Sequence, residues 1–419
     1  MPEEPVELVA AALFAAALAH TFAATQLERL AHRMPRHAGL LHLLGEVEVI
    51  FGFWACLLIV AMALLDGGAR ALEYAESRDY TEPVFVFVVM VIAGSRPVLH
   101  AVRLVVGLGV KLFPLPGPLA TAWLGLAAVP LMGSLVTEPA AMTIAALMLA
   151  PLVFRPDVPE PPKYLALGVL FVNVSIGGTL TSYAAPPVLM VASAWNWDSA
   201  HMLSTFGWKA MLAVFVNASL ATLVLRKHVA SNDAESAAGP GMQVPPASIV
   251  VHLALLAGVV LLAHHPVAFL GLFLLFLGLA RAYERHQDPL LVKEALLVAF
   301  FLAGLVVLGG LQRWWLQPIV SSLEPLSLFF GALGLTAVTD NAALTYLGSL
   351  IMGMPGESKY MLVAGAVAGG GLTVIANAPN PAGLALLRRG FADQCVGAGG
   401  LLLGALVPTA VAASAFLLL

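Results

Sequence analysis

The octapeptide VTEPAAMT at residues 136–143 recurs as VTDNAALT at residues 338–345, and both copies lie in strongly apolar sequence. Each copy holds one carboxylate, Glu138 in the first and Asp340 in the second. An ionisable side chain at the centre of a bilayer costs about 2.5–3.5 kcal/mol or more, so such a residue is a candidate functional group. One carboxylate per copy predicts a duplicated gene and a paired transport site where the two repeats meet.

The composition is that of a membrane protein. Of 419 residues, 60% are hydrophobic and 11% are charged, whereas soluble domains average roughly 25% charged residues. Apolar runs near the spanning length recur from end to end, which predicts an all-α polytopic protein of the inner (cytoplasmic) membrane with about ten membrane-spanning helices. No basic patch supports nucleic-acid binding. The two cysteines, Cys56 and Cys395, do not suggest a disulfide framework or a thiolate metal site.

Loop charges predict the orientation, because cytoplasmic loops carry an excess of Lys and Arg. The loop after the first apolar run is basic and is expected inside, whereas the acidic segment 66–82 is expected outside. Run 83–110 then leads inward, and its counterpart in the second half, run 290–311, leads outward. The two repeats are therefore predicted to have inverted topology, as in many secondary transporters.

The same pattern divides the chain into four predicted parts. In chain order they are N-terminal scaffold helices (1–82), repeat 1 (83–228), a linker with connecting helices (229–289) and repeat 2 (290–419). The linker begins with VASNDAESAAGPGMQVPP, which has the polar, Gly- and Pro-containing composition of a boundary. Within each repeat, the octapeptide is expected at the tip of a re-entrant hairpin.

A second repeated element follows each octapeptide. GTLT at 178–181 aligns with GGLT at 370–373, and prolines follow both copies. Gly and Pro do not favour a continuing α-helix, so broken transmembrane helices are predicted at 177–187 and 369–381. Non-helical backbone at membrane depth survives only where it is buried in protein or lines a water-filled cavity. Each half is therefore expected to contribute two breaks to one site.

Oxygen-bearing side chains surround these four breaks, and hard cations such as Na⁺ prefer oxygen ligands. Half-helix ends add partial charges of about half an electron. Burial also disfavours the charged carboxylate, so a proton and a cation can compete for it, which is the simplest basis for exchange. The predicted ion- and proton-binding residues are Thr137 and Glu138 at the first tip, Thr339, Asp340 and Asn341 at the second, and Thr181, Thr373, Asn377 and Asn380 at the unwound helices.

Other interpretations stay open at this point. Glu138 precedes Pro139 and Asp340 precedes Asn341, so either carboxylate could cap the helix that follows it. The Gly-rich breaks taken singly also fit loops or close helix packing. Glu46 and Glu48 lie inside another apolar run and point to different helix faces. One of them is a candidate proton relay, with structural pairing as the alternative.

Five segments together resemble a family of bacterial Na⁺/H⁺ antiporters in the ion-transporter superfamily, which is related to arsenite-pump membrane subunits and Na⁺-coupled dicarboxylate carriers. The segments are LLGEVEVIFGFWA, VTEPAAMT, NVSIGGTLTSYAAPP, VTDNAALT and GGGLTVIANAPNP. The resemblance implies a homodimer in lipid, with a scaffold and a mobile transport domain that work by elevator-like alternating access. Dicarboxylate carriers have a Ser-Asn-Thr type motif at the hairpin tips, where this chain has Thr-Glu-Pro and Thr-Asp-Asn.

The sequence therefore favours a secondary transporter that exchanges Na⁺, or another monovalent cation, for H⁺. Two carboxylates would repel a dianion, which favours a cation. Asp340 is predicted to be the principal carrier, with Glu138 as its partner, because no basic residue lies within a helical turn of Asp340. The alternative is a Na⁺- or H⁺-coupled carrier of a small organic or inorganic anion. No cofactor is expected beyond the transported ions, and no metal beyond the transported cation. An intramembrane hydrolase would need a nucleophile with a general base or a metal triad, and the sequence suggests neither, so an enzyme is not expected.

Overall fold

The computed structural model describes residues 5–229 and 244–419, except for the side chains of nine residues between positions 22 and 48. The described part is all-helical, with 79% helix and no β-strand. Most of the predicted linker segment 229–246 and the side chain of Glu48 lie outside the described residues.

The α-helices of the described residues are numbered here in chain order. They are α1 (Pro5–Arg33), α2 (Ala38–Gly45), α3 (Val47–Leu65), α4 (Gly68–Glu76), α5 (Thr81–Ala93), α6 (Arg96–Leu112), α7 (Gly117–Leu126), α8 (Ala128–Met132), α9 (Glu138–Leu149), α10 (Glu160–Gly177), α11 (Pro186–Trp195), α12 (Ser199–Met202), α13 (Trp208–Leu225), α14 (Pro246–Leu261), α15 (Pro266–Ala282), α16 (Val292–Gly309), α17 (Arg313–Ser321), α18 (Pro325–Thr336), α19 (Asn341–Ser349), α20 (Gly356–Gly369), α21 (Asn380–Leu387) and α22 (Ala398–Leu418).

Several of these helices can cross a membrane by length and composition. Among the described residues there are four such segments, which are Glu160–Leu180, Ser199–Leu225, Val292–Gly309 and Ala398–Leu418. Two bent helix pairs, α2 with α3 at 97° and α5 with α6 at 65°, raise the number to six if each pair is one span. The chain is therefore a multi-pass membrane protein, and the larger number of about ten spans stays a prediction.

Each octapeptide begins in the turn between short helices that contact each other and continues into the helix that follows. The first joins α7 and α8 to α9, and the second joins α18 to α19. The twelve residues of α9 are about 18 Å long at 1.5 Å per residue. The nine residues of α19 reach about 14 Å. Because a bilayer core is about 30 Å thick, neither second arm is long enough to cross it alone.

The second repeated element interrupts a helix in both halves. After α10, residues Gly178–Leu180 form a 3₁₀ turn, Thr181 is extended, and α11 begins only at Pro186. After α20, a 3₁₀ turn at Val374–Ala376 precedes α21. These interruptions fall within the two segments for which the Gly and Pro pattern predicts broken helices.

The two interrupted helices meet end to end in antiparallel fashion. Tyr164 near the start of α10 accepts a hydrogen bond from the amide of Gly397, just before α22 (3.0 Å). Tyr360 near the start of α20 donates to the carbonyl of Phe416 at the other end of α22 (2.6 Å). Ser175 near the end of α10 donates to the carbonyl of Val367 near the end of α20 (2.8 Å). Both helices therefore approach from opposite ends of α22 and contact each other beside their breaks.

Close helix contacts outside this region depend on small residues. The backbone of α16 at Gly304 lies against the backbone of α3 at Phe51 and Gly52, where a Cβ would not fit. Small residues allow such close approach between helices in a membrane. The interface holds α3 and α16 together, and α16 in turn contacts α19, where Tyr346 donates to the carbonyl of Val306 (3.1 Å).

Candidate functional site

The first octapeptide contacts the broken helices of both halves. Glu138 is fully buried, and its Oε2 accepts a hydrogen bond from Asn377 Nδ2 (2.9 Å). Its other oxygen, Oε1, lies so close to Gly178 that a Cβ at that position would collide with it. Glu138 therefore joins the tip of the first hairpin to the unwound segments of repeats 1 and 2.

The second octapeptide also contacts both broken helices. Asn341 Nδ2 is 3.4 Å from Ser175 Oγ at the end of α10. The same amide packs against Gly370, where a Cβ would lie 3.0 Å from Asn341 Nδ2. Asp340, next to Asn341, lies within electrostatic range of Glu138. The structure thus brings together the two tips and the two unwound segments that the sequence predicts as one site.

The two carboxylates differ in their relation to the helix ends. Asp340 is the N-cap of α19, and its Oδ1 accepts hydrogen bonds from the amides of Ala342 (2.7 Å) and Ala343 (3.3 Å). In the first tip, Thr137 is the N-cap of α9 and accepts from the amide of Ala140 (3.3 Å). The capping alternative is therefore correct for Asp340 and wrong for Glu138, because Thr137 fills that role.

Three of the predicted residues hold the unwound segments in place. Thr181 Oγ1 donates to the carbonyl of Ser134 (2.8 Å), and Thr373 Oγ1 donates to the carbonyl of Ala337 (2.9 Å). Each threonine thus fixes its own broken helix to the first arm of its own hairpin. Asn380 Nδ2 donates to the carbonyls of Gly370 (2.8 Å) and Thr373 (2.9 Å). Both bonds lie within the second unwound segment and hold its backbone in place.

Several buried oxygen atoms at these breaks have no hydrogen-bond partner among the described residues. They are Glu138 Oε1, Thr339 Oγ1, Asn341 Oδ1, Asn377 Oδ1 and Asn380 Oδ1, and we call these five residues the oxygen cluster. A buried polar atom without a partner costs about 1–3 kcal/mol. Oxygen atoms of this kind are the ligands that a hard cation prefers. The arrangement can accept a cation or a proton, since either one supplies the missing positive partner.

The chemistry of the donor set indicates a simple cation rather than a transition metal. No group of three or more His, Cys, Asp and Glu side chains suited to a metal occurs in the parts of the chain that the structure describes. Transition-metal sites usually combine imidazole and thiolate ligands. The oxygen cluster has amide, hydroxyl and carboxylate oxygens only.

The candidate proton relay lies elsewhere. Glu46 occupies the junction of α2 and α3, is partly exposed, and has its Oε1 3.5 Å from Lys293 Nζ. This contact agrees with the alternative of structural pairing. Glu48 is outside the described side chains, so a relay role for either residue stays a prediction.

Sequence reasoning missed some polar residues that support the site. Ser134 Oγ donates to the carbonyl of Gly177 (2.7 Å) and accepts from the amide of Leu180 (3.0 Å). Comparison of the two copies over two further residues, SLVTEPAAMT against TAVTDNAALT, pairs Ser134 with the buried Thr336. Extending the repeat upstream would have identified both positions.

A buried asparagine pair was also missed. Asn217 Nδ2 in α13 donates to Asn173 Oδ1 in α10 (2.9 Å) and to the carbonyl of Pro408 in α22 (3.2 Å). Asn173 Nδ2 donates to the carbonyl of Leu126 at the end of α7 (2.8 Å). The pair therefore ties four helices together near the start of the first break. A lone Asn in an apolar helix was the signal for each.

Comparison with known proteins agrees with this architecture. Residues 5–419 match the family described as "Putative Na+/H+ antiporter". None of the curated proteins searched matches the chain. The family match covers nearly the whole chain and includes both tips and both interrupted helices. The chain therefore belongs to this Na⁺/H⁺ antiporter family, which is a family of transporters.

Proposed function

We propose that the protein exchanges Na⁺, or another monovalent cation, for H⁺ at the oxygen cluster and the neighbouring Asp340, so that Glu138 and Asp340 are the two acidic groups of the site. The observation that carries the proposal is the set of buried oxygen atoms without partners, Oε1 of the fully buried Glu138 among them. These atoms come from both hairpin tips and from the second unwound segment. A hard cation would satisfy several of them at once.

The contacts support competition between the cation and the proton. With Glu138 ionised, Oε1 and the neighbouring amide oxygens are acceptors only, and a cation can bind among them. With Glu138 protonated, its hydroxyl becomes a donor and one of the two charges that attract the cation is gone. The cation and the proton therefore exclude each other at the Glu138 carboxylate. Such exclusion gives exchange when the carboxylate is accessible alternately from the two sides of the membrane.

The contacts also favour Glu138 over Asp340 as the group that changes protonation. Oδ1 of Asp340 accepts two backbone amide hydrogens, and hydrogen bonds to the ionised form favour that form. Glu138 has one side-chain donor, Asn377, and lies fully buried. The prediction from the sequence gave Asp340 the principal role. We now propose that Asp340 stays ionised and holds the cation, while Glu138 takes and releases the proton.

The anion-carrier alternative has less support. Two carboxylates within electrostatic range of each other raise the energy of an anion placed beside them. We also retain the proposal of a homodimer with elevator-like alternating access, in which the two hairpins and two broken helices move as one unit. The hydrogen bonds of Thr181 and Thr373, which fasten each break to its hairpin, support such a unit.

The test is ΔpH dissipation by Na⁺, Li⁺ and K⁺ in proteoliposomes, with Glu138→Gln, Asp340→Asn and a matched control. Glu324→Gln is that control, because Glu324 is an exposed carboxylate before α18 without a side-chain capping bond. We expect Glu138→Gln and Asp340→Asn to lose exchange and the control to keep it. Exchange at the wild-type rate by both carboxylate variants would refute the proposal. Na⁺ movement that requires an added small anion would favour the alternative.

A further inference from the structure

A cavity of about 610 Å³ adjoins the first broken helix. Its walls come from the start of α5, the end of α11 and the end of α14, and its inner wall includes Ser182 and Tyr183 of the unwound segment. The start of α5 follows the acidic 66–82 segment, which is expected outside, so this topology places the cavity at the end of the helical bundle that meets water on that side. The cavity therefore connects that end of the molecule with the backbone of the first break.

Only a short distance along the chain separates the cavity from the first hairpin tip. Ser182 lines the cavity, and its neighbour Thr181 donates to the carbonyl of Ser134 beside that tip. On the cavity side, Ser182 Oγ lies 3.2 Å from Ser199 Oγ, and the amide of Ser182 also donates to Ser199 (3.3 Å). The polar contact between Ser182 and Ser199 is thus part of the cavity wall, next in the chain to the residue that contacts the first hairpin.

The charges around the cavity suit a cation. Glu82, in the first turn of α5, lines the cavity together with Ser193 on α11. Asp79 lies near Glu82, and Asp198 lines the same cavity. His264 is the basic group that faces Glu82. A cleft lined mainly by one sign of charge raises the local concentration of the opposite ion and the rate at which it enters.

We propose that this cavity is the entrance through which a hydrated monovalent cation reaches the oxygen cluster from one side of the membrane, with Glu82 as its attracting carboxylate. The entrance lies on the side at which the acidic 66–82 segment ends, because that segment leads directly into α5. The inference rests on the proposed exchange function for the identity of the ion. Its geometric part, water access to the first break from one side only, is independent of that function.

Thiol labelling tests the geometric part. Cys56 and Cys395 are first replaced by Ala, and Ser193→Cys and Ser182→Cys are then made singly. Leu274→Cys is the control, since Leu274 is an exposed apolar position within α15, away from the cavity. We expect a membrane-impermeant methanethiosulfonate reagent to modify Ser193→Cys from the side of the 66–82 segment only, and to leave Leu274→Cys unmodified. Ser182→Cys should react from the same side and more slowly than Ser193→Cys.

The labelling result overturns the inference if Ser193→Cys is modified from the opposite side, from both sides equally, or from neither. Any of these labelling patterns overturns the inference even where exchange is normal, because the labelling experiment measures accessibility without measuring transport. Conversely, one-sided labelling in a protein that exchanges no cation would retain the cavity as an entrance and refute the proposed function instead.

A second experiment tests Glu82. We expect Glu82→Gln to raise the half-saturating Na⁺ concentration about threefold or more when Na⁺ is supplied on the side of the 66–82 segment at low ionic strength, and to have a smaller effect when Na⁺ is supplied on the other side. The difference should shrink at about 0.15 M ionic strength or more, because salt screens the attraction. Glu76→Gln, an exposed carboxylate at the end of α4, is the control and should not change. Equal effects from both sides, or none, would refute the attracting role.

Discussion

The two hairpin tips share a sequence pattern, yet their carboxylates form different contacts. In the second tip, Asp340 caps its own helix and Thr339 Oγ1 has no partner among the described residues. In the first tip, Thr137 caps the helix and leaves Glu138 to reach Asn377 in the other half. Glu has one methylene more than Asp, and Thr137 caps the helix of the first tip in place of a carboxylate. In that tip, capping and contact with the other half are therefore performed by different residues. The two tips are similar in sequence, and local capping makes them chemically unequal.

The largest effect is expected from exchanging the two acid types. Glu138→Asp shortens the side chain and removes its charge-assisted hydrogen bond from Asn377, worth about 1.5–3 kcal/mol. That loss corresponds to roughly 10- to 150-fold weaker Na⁺ binding. Asp340→Glu should have the smaller effect, because a Glu carboxylate near the start of a helix is also stabilised by the partial positive charge of the backbone amides there. Half-saturating Na⁺ concentrations in proteoliposomes measure both. A stronger effect of Asp340→Glu would show that Na⁺ binding depends more on the capping carboxylate than on the contact between Glu138 and Asn377.

The glycine beside the carboxylate of the first tip offers a second test of how that carboxylate is held. A methyl group at Gly178 would displace the Glu138 carboxylate, so Gly178→Ala should cost about 1–3 kcal/mol and weaken Na⁺ binding. Gly331→Ala in α18, where nothing lies within 4 Å of the added Cβ, is the control. Thermal unfolding and exchange rates are the measurements. Unchanged exchange by Gly178→Ala would show that the carboxylate is not held as described.

The two threonines before the carboxylates should also behave differently. Thr137→Ala removes the N-cap of α9 and should lower stability by about 1 kcal/mol. Thr339→Ala removes a hydroxyl that caps no helix, so its effect should fall mainly on Na⁺ affinity. Unfolding in detergent and Na⁺ titration of the same samples separate the two outcomes. The same stability loss in both variants would indicate that the tips are equivalent after all.

The smallest effect is expected at a surface ion pair that joins repeat 1 to the segment before repeat 2. Arg96 at the start of α6 pairs with Asp288, and this guanidinium holds the pKa of the Asp288 carboxyl below its ordinary value. The contribution to stability is therefore present above the ordinary pKa and is lost as the pH falls through the lowered one. Because both side chains are partly exposed, Asp288→Asn should cost less than about 1 kcal/mol at pH 7.

Unfolding of Asp288→Asn and the wild type over a range of pH checks this sign. The difference between the two proteins should disappear under acidic conditions, once the carboxyl is protonated in both the folded and the unfolded wild type. A difference that grows on acidification would contradict the ion pair. Asp157→Asn, which removes a local pair with Arg155 within one loop, is a control that does not join the halves.

Much of this arrangement could be predicted from local sequence, and the rest could not. Gly and Pro in the second repeated element indicate the breaks because their backbone preferences act locally. A carboxylate in each apolar octapeptide also indicates a site locally, because a charged group in apolar surroundings is costly. The bond between Glu138 and Asn377 spans 239 residues, so it depends on how the halves pack. The pairing of Glu46 with Lys293, and that of Asn173 with Asn217, also join separate helices.

The span of the bond between Glu138 and Asn377 has a consequence for biogenesis. A ribosome adds about 5–20 residues per second, so Asn377 is synthesised roughly 10 to 50 seconds after Glu138. During that interval the first hairpin exists without its partner amide, and a charged carboxylate in apolar surroundings is costly. The first hairpin is therefore expected to settle at its final depth only late, after the second half has been inserted. Translation of the last third of the chain is then the step that completes the ion site.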